Sequence, residues 1–157
     1  MPATDQLTQR TGLTGYGYQG HDLSSFLAQL CADGVSLLVD VRLTPISRKR
    51  GFSKRALSEA LASVGIEYEH ARPLGNPKDN RAGFSGSREE LEAARRRFSA
   101  ELADPAAQEW LAMIGEWASQ RRVALLCFEA DQERCHRDVV AAAVQAVIRG
   151  GSPHRLG

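Results

Sequence analysis

The sequence lacks the features that mark membrane and secreted proteins. No apolar run among its 157 residues approaches the ~18 residues of a membrane-spanning helix, and residues 1–10 are too polar for a secretion signal. The three cysteines include no Cys-x-x-Cys pair, which is typical of free thiols in a reducing compartment. We therefore expect a cytoplasmic protein with no membrane partner.

The sequence also lacks an excess of either charge. Its 20 Lys and Arg residues against 19 Asp and Glu residues leave a formal net charge of +1, which does not favour nucleic-acid binding by the molecule as a whole. Residues 42–55 depart from this balance, with six cations and no acid. Such a segment is either a solvated loop or a site for an anion or a phosphate backbone. Arg48, Ser53 and Lys54 are its candidate ligand-binding residues.

Apolar patterning predicts strands that alternate with helices. Asp22, Ser53 and Asp104 are expected N-caps of three of the helices. The stretch at residues 35–41 is almost continuously apolar, as in a strand that is covered on both faces. The predicted strands are residues 13–16, 35–41, 66–70 and 123–128.

This order of elements implies parallel pairing through right-handed crossovers. We predict an α/β fold, a three-layer Rossmann-like sandwich with a mainly parallel sheet of about five strands and helices on both faces. The chain from residue 152 onward would supply a short last strand. Residues 1–10 are expected to be flexible and residues 11–157 to form a single domain. The 17 residues 71–87 are rich in Gly, Pro, Asn and Arg, which is typical of a lid or binding loop.

Ligands of such sheets bind beyond the carboxyl ends of the strands, and three segments leave strands there. The first, residues 15–20, reads as G-x-G-x-x-G with Asp40 about 20 residues beyond, as in a dinucleotide site. The preceding strand is very short, however, and the helix begins only after Gly20. We interpret the glycines as a tight turn and predict no cofactor. Tyr16 and His21 remain candidate ligand-binding residues.

The second segment is Asp40-Val41-Arg42. Alternation along a strand points Asp40 and Arg42 in the same direction. Such a pair is a catalytic pair, a phosphate clamp or a structural ion pair, and the sequence leaves all three interpretations open.

The third segment, residues 127–137, runs from a buried strand through an acidic loop into a helix. Cys135 at the helix N-terminus, next to cationic neighbours, is expected to have a lowered pKa and is a candidate nucleophile. The same position suits an anion held by backbone N–H groups and Arg137, or simple packing of a small side chain. His136 offers acid–base capacity, together with His21 if their strands are neighbours. Cys127 lies within the apolar strand and is expected to be a core residue.

Metal binding is not indicated by residue spacing. The four histidines are scattered and none has the spacing of a zinc site. The sequence therefore predicts no metal.

Several short motifs, none specific alone, together resemble the bacterial domain-of-unknown-function family 488 from about residue 11 to residue 148. The resemblance implies a Rossmann-like α/β fold with the motifs clustered at one sheet edge, and it makes Asn76 a further candidate ligand-binding residue. It implies no particular reaction, although family members are sometimes labelled as DNA-repair related. The segment after Tyr16 is more glycine-rich than the family's usual pattern. The motifs are Thr14-Gly15-Tyr16, Leu38-Val39-Asp40-Val41-Arg42, Pro45 with Ser47-Arg48, Leu74-Gly75-Asn76, and Cys127-Phe128-Glu129 with Cys135-His136-Arg137.

The favoured functional hypothesis is an enzyme that acts on a nucleotide, a nucleic-acid end or a related phosphorylated compound. One alternative is a non-catalytic nucleic-acid-binding module that uses residues 42–55 and the loop 71–87. Another is a thiol-redox or sulfur-handling protein centred on Cys135. In the enzyme, phosphate would be neutralised by Arg42, Arg48 and Arg137, protons would be transferred by Asp40 or Glu129 with His136, and Cys135 would hold an anion or attack.

Overall fold

The computed structural model describes residues 11–149, in which four parallel strands form one sheet with the order β1-β4-β2-β3. The predicted α/β class and parallel sheet are confirmed. The expected flexible residues 1–10 and the expected strand from residue 152 onward lie outside the described residues. The regular elements are β1 (Gly12–Gly17), α1 (Leu23–Ala32), β2 (Leu37–Asp40), α2 (Lys54–Ser63), β3 (Glu67–His70), α3 (Arg88–Glu101), α4 (Pro105–Gln120), β4 (Arg122–Cys127) and α5 (His136–Ile148).

Helices cover both faces of the sheet because the central strands alternate apolar side chains between two cores. On one face, Val39 and Leu125 belong to the core that includes buried residues of α3, α4 and α5. On the other face, Leu38 and Leu126 belong to the core that includes buried residues of α1 and α2. All four residues of β2 are buried, as the continuous apolar run predicts for a strand covered on both faces. This arrangement is the predicted three-layer sandwich.

Local sequence signals explain where the helices begin. The side chain of Asp22 accepts a hydrogen bond of 2.8 Å from the backbone N–H of Ser25, and Asp104 caps α4 ahead of Pro105 in the same way. Ser53 also stands at an N-cap position, but its hydroxyl accepts from the backbone N–H of Ser47 at 3.0 Å and does not cap α2. No helix within residues 11–149 combines the length and the apolar character that crossing a membrane requires.

The strand register brings three strand ends to one edge of the sheet. Gly17 at the end of β1 pairs with Cys127 at the end of β4, and Asp40 at the end of β2 pairs with Leu126. The segments that follow these residues therefore leave the sheet side by side. This is the edge where parallel sheets bind their ligands.

The loop of residues 71–87 is packed against this edge. It contains three short 3₁₀ turns and anchors itself through buried Leu74 and Phe84. The amide of Asn80 donates to the side-chain oxygen of Asn76 and to the backbone oxygen of Ala94, both at 3.0 Å. The loop therefore forms an ordered wall of the cavity at the sheet edge.

Candidate functional site

A cavity of about 150 Å³ lies where β2 and β4 end. Its walls come from the segment after β2, from the loop 71–87 and from the segment between β4 and α5. Five residues singled out in the sequence line it: Arg42, Asn76, Glu129, Cys135 and His136. The fold thus brings five of the twelve candidate residues to one cavity.

The floor of the cavity carries two thiols and an imidazole, here named the cysteine–histidine cluster (Cys127, Cys135 and His136). The Nδ1 atom of His136 lies 3.6 Å from Sγ of Cys127 and 3.8 Å from Sγ of Cys135. The two sulfurs and one ring nitrogen all lie within 4.8 Å of one another. All three residues are buried and all three line the cavity.

Contacts with Val41 and Phe98 fix the orientation of the imidazole. Nε2 of His136 lies 2.6 Å from the backbone oxygen of Val41, and the ring packs edge-on against Phe98. A carbonyl oxygen only accepts, so Nε2 carries a proton and Nδ1 faces both sulfurs. In the neutral ring Nδ1 presents a lone pair to them, and in the protonated ring it donates a hydrogen bond.

The cluster favours a thiolate at Cys135. Burial raises the pKa of the Cys135 thiol, but hydrogen bonds from Cys127 and His136, with the charges of His136 and Arg137, outweigh it and lower the pKa to about 4. Cys127 behaves in the opposite way, because its hydrogen bond to Cys135 and its burial raise its pKa. Cys127 is therefore the proton-bearing donor and Cys135 the anion, in line with the sequence expectation for Cys135.

Glu129 supplies a carboxyl group next to the cluster. Its Oε2 atom lies 3.4 Å from Sγ of Cys127. Burial, together with the charge of Cys135, raises the pKa of Glu129. The carboxyl group therefore keeps its proton to a higher pH than an exposed glutamate does, which suits a proton donor.

Arg137 holds the segment that carries Glu129. Its guanidinium donates to the backbone oxygen of Glu129 and to the side-chain oxygen of Gln132, both at 2.6 Å, and to the backbone oxygen of Ala130 at 3.4 Å. Only 1% of the residue is exposed and it does not line the cavity. The structure therefore places Arg137 as an internal anchor, and its proposed contact with a phosphate stays a prediction.

Asp40 and Arg42 form a buried ion pair, with Nη2 and Oδ2 2.7 Å apart. Arg42 also donates to the hydroxyl of Tyr18 and to the backbone oxygen of Phe52, while Tyr68 donates to Asp40 at 2.6 Å. Burial disfavours the guanidinium, but the hydrogen bonds and charge of Asp40 raise the pKa of Arg42. Burial and the charge of Asp40 also raise the pKa of Tyr68. Of the three interpretations left open by the sequence, the structural ion pair has the geometric support.

A close approach of β1 to the segment after β4 accounts for one glycine of the G-x-G-x-x-G pattern. A Cβ atom at Gly17 would collide with the backbone oxygen of Glu129. The backbone N–H of Gln19 then donates to the oxygen of Phe128 at 2.8 Å. Because Gly17 has no side chain, β1 can approach the backbone of Glu129 closely and hold that segment in place.

The lining of the cavity also carries hydrogen-bond donors. Arg81 is exposed and Asn76 is buried, and both line the cavity. Arg134, which lines it too, donates to the backbone oxygens of Phe84 and Gly86, at 3.3 and 2.7 Å, and so ties the loop 71–87 to the segment before α5. These three side chains give the lining positive and donor character, which suits an anionic group.

Comparison with known proteins identifies a family but no activity. The family model described as Domain of unknown function DUF488 matches residues 22–144, which is most of the 157-residue chain. The chain belongs to the DUF488 family. No curated protein and no solved structure matches it at a significant level. The DUF488 region includes the whole cysteine–histidine cluster and Glu129, and it assigns no activity to them.

Other candidate residues of this DUF488 chain lie outside the cavity. The hydroxyl of Tyr16 donates to Asp33 at 2.5 Å, and Nδ1 of His21 lies 3.1 Å from the hydroxyl of Ser25. Ser53 is held by Ser47, as described above. Arg48 and Lys54 are exposed, and a role in nucleic-acid binding stays a prediction for them.

The DUF488 site also contains residues to which sequence reasoning gave no functional role. Cys127 is in the core, as expected, but it ends β4 and therefore also reaches the cavity. The rule that sites form at the carboxyl ends of strands would have identified it. Arg81 carried no comparable signal, because only the folding of the loop 71–87 brings it to the cavity. Arg134 was considered only as a cationic neighbour of Cys135.

Proposed function

We propose that the protein is a cysteine-dependent hydrolase of a small phosphorylated compound, such as a nucleotide. The observation that carries the proposal is the position of Cys135. Its sulfur lies on the cavity floor at the start of α5, 3.8 Å from Nδ1 of His136. Glu129 lines the same cavity. A nucleophile, an orienting imidazole and a proton donor thus share one concave site.

The size and lining of the cavity support a phosphorylated substrate. At about 150 Å³ it is smaller than the ~300–1,000 Å³ of sites that enclose whole drug-sized ligands, so only one end of a substrate enters. Arg81, Arg134 and Asn76 would bind the oxygens of an entering phosphoryl group. Phe128 and Ile46 line the cavity and are 42% and 74% exposed, which leaves apolar surface for the remainder of the substrate.

The reaction proceeds in two displacements. The Cys135 thiolate attacks phosphorus, the S–P bond forms, the P–O bond to the alcohol breaks, and Glu129 gives its proton to the leaving oxygen. Water then attacks phosphorus and Glu129 takes a proton from it. The S–P bond breaks, which returns the thiolate and releases inorganic phosphate.

The test is phosphate release from a panel of aryl phosphates and nucleoside monophosphates. Cys135→Ser keeps the shape of the residue and is expected to lower turnover by at least about 100-fold, whereas Glu129→Gln lowers it less. Cys31→Ser is the matched control, because Cys31 is an exposed cysteine of α1 away from the cavity. Undiminished turnover in folded Cys135→Ser protein would exclude the nucleophile. Acid quenching should trap wild-type protein whose Cys135 peptide carries one phosphoryl group.

A second candidate function, thiol-redox chemistry, is favoured by the neighbouring Cys127. The Cys135 thiolate would attack one oxygen of hydrogen peroxide, the O–O bond would break, hydroxide would leave and a sulfenic acid would form. Attack by the Cys127 sulfur would then release water and form a disulfide. Peroxide treatment of the reduced protein should link the Cys127 and Cys135 peptides, and separate, over-oxidised cysteines would argue against this function.

A further inference from the structure

We propose that the cysteine–histidine cluster is a binding site for a soft divalent metal ion of the Zn²⁺ class. Sγ of Cys127, Sγ of Cys135 and Nδ1 of His136 are the three protein ligands. The inference goes beyond the hydrolase proposal and does not depend on it. Nothing in the sequence spacing indicated such a site, because the ligands come from the end of β4 and the start of α5.

The distances from the imidazole nitrogen to the two sulfurs are close to those of a tetrahedral centre. With Zn–S bonds of about 2.3 Å and Zn–N bonds of about 2.0 Å, tetrahedral angles place sulfur and nitrogen about 3.5 Å apart and the two sulfurs about 3.8 Å apart. Nδ1 of His136 lies 3.6 and 3.8 Å from the two sulfurs. All three donor atoms lie within 4.8 Å of one another, which is close enough for them to converge on one ion.

The imidazole is oriented as a metal ligand requires. Its Nε2 atom lies 2.6 Å from the backbone oxygen of Val41, which fixes the proton on Nε2 and leaves Nδ1 of the neutral ring with a lone pair. Histidine ligands in metal sites usually donate their second ring N–H to a carbonyl or a carboxylate in this way. The edge-on contact with Phe98 further limits rotation of the ring.

The chemistry of the donors selects the class of ion. Two thiolates and an imidazole are soft to borderline ligands, which favour zinc over magnesium or calcium. Two thiolates also neutralise a divalent ion, so the buried centre carries no net charge. Oxygen-seeking ions would find only the Glu129 carboxylate beside these donors, far short of the roughly six to eight oxygen ligands that calcium takes.

The fourth coordination position faces the cavity. All three ligands line it, as does Glu129, whose Oε2 lies 3.4 Å from Sγ of Cys127. Water or this carboxylate would therefore complete the coordination. A bound ion holds the sulfur lone pair that phosphoester attack requires, so metal occupancy and the proposed hydrolysis exclude each other at Cys135.

The test is a titration of reduced, chelator-treated full-length protein with Co²⁺, followed by displacement with Zn²⁺. We expect one ion per chain, intense tetrahedral d–d bands and a thiolate-to-cobalt charge-transfer band. Cys127→Ser, Cys135→Ser and His136→Gln should each weaken binding by more than about 100-fold. Cys31→Ser, the exposed control, should bind as the wild type does. Cobalt spectra without thiolate character, or full binding by Cys135→Ser, would overturn the proposal.

A second measurement needs no variant and so does not depend on how the variants fold. X-ray absorption of the zinc-loaded wild type should show two sulfur neighbours at about 2.3 Å and a histidine nitrogen at about 2.0 Å. A shell of nitrogen and oxygen alone would overturn the site. Absence of hydrolysis in the reduced, metal-free protein would instead count against the proposed function and leave the metal site standing.

Discussion

Nη1 of Arg137 donates a 2.6 Å hydrogen bond to the backbone oxygen of Glu129, so the first turn of α5 holds the carboxyl-bearing segment in place. The same guanidinium holds Gln132 at 2.6 Å. Arg137 has no carboxylate partner among the salt bridges of residues 11–149. Its position therefore depends on oxygen atoms of its own neighbouring segment, and it acts on the site through Glu129.

Replacing Arg137 with methionine should destabilise the protein and disorder Glu129. Methionine keeps much of the apolar stem but leaves the oxygens of Glu129 and Gln132 without their donor, which costs about 2 kcal/mol of unfolding free energy. Urea denaturation followed by circular dichroism measures the loss. Arg88→Met is the control, because Arg88 belongs to an exposed ion pair with Glu133 and should leave the midpoint almost unchanged. Equal midpoints for both variants would contradict the anchoring role.

Asp40→Asn should be among the most destabilising changes at the sheet edge. It leaves the buried guanidinium of Arg42 without its carboxylate, and breaking one side of a buried pair costs about 3–5 kcal/mol. The control is Glu59→Gln, which breaks the exposed Arg55–Glu59 ion pair. Chemical denaturation of the two variants compares the loss of unfolding free energy for a buried pair with that for an exposed pair. The double variant Asp40→Asn with Arg42→Met should recover part of the loss, because the uncompensated charge is gone. Purely additive losses would show that the pair is not coupled.

The same pair shows how far sequence reasoning reaches. The alternation expected for an extended chain, a local property, correctly placed Asp40 and Arg42 together, although β2 ends at Asp40 and Arg42 lies two residues beyond its end. Their role depends on Tyr18, Phe52 and Tyr68, which come from other parts of the chain. The α/β class was predictable for a similar reason, since apolar runs and caps are encoded locally. The surroundings of a buried charge depend on tertiary contacts, so they could not be predicted from the sequence.

The cysteine–histidine cluster shows the same limit. The position of Cys135 at a helix N-terminus, next to cationic residues, indicated that its pKa is lowered. The helix dipole and neighbouring charges both act within one turn, so this signal is local in the sequence. Cys127 was predicted to be a core residue because its neighbours in the sequence are apolar. Only the register that ends β4 beside β1 and β2 puts its sulfur next to His136. Convergence of distant segments therefore created the part of the site that residue spacing could not indicate.

Gly17→Ala should disturb the site as well as the fold. A Cβ atom there meets the backbone oxygen of Glu129 and lies 3.0 Å from Cα of Ala130, so the segment must shift at a cost of about 1–3 kcal/mol. We expect lower hydrolytic turnover together with a lower denaturation midpoint. Gly20→Ala is the matched control, because its Cβ meets nothing within 4 Å and only its φ of +85° opposes the change. Gly20→Ala should therefore lower stability without lowering turnover of the folded protein, and equal turnover losses would refute the steric explanation.

The pH dependence of alkylation at Cys135 tests the electrostatics of the cluster in reduced, metal-free protein. A thiol with a pKa of about 4 is already thiolate above that pH, so the rate with iodoacetamide should be flat from about pH 5 to pH 8 and fall below about pH 4. A free cysteine, with a pKa of about 8.5, reacts about tenfold faster per pH unit across the same interval. Peptide mass spectrometry after timed quenching gives the rate at each pH.

Cys127→Ala should move the Cys135 profile toward that of free cysteine. The variant removes the hydrogen bond from Cys127, the largest of the contributions that lower the pKa of Cys135, so the thiolate becomes harder to form. The flat region should then begin at a higher pH, while Cys31→Ser leaves it in place. The shape of each profile is the readout, because burial of Cys135 slows the reagent at every pH alike. Superimposable profiles for wild type and Cys127→Ala would mean that the neighbouring thiol does not stabilise the Cys135 thiolate.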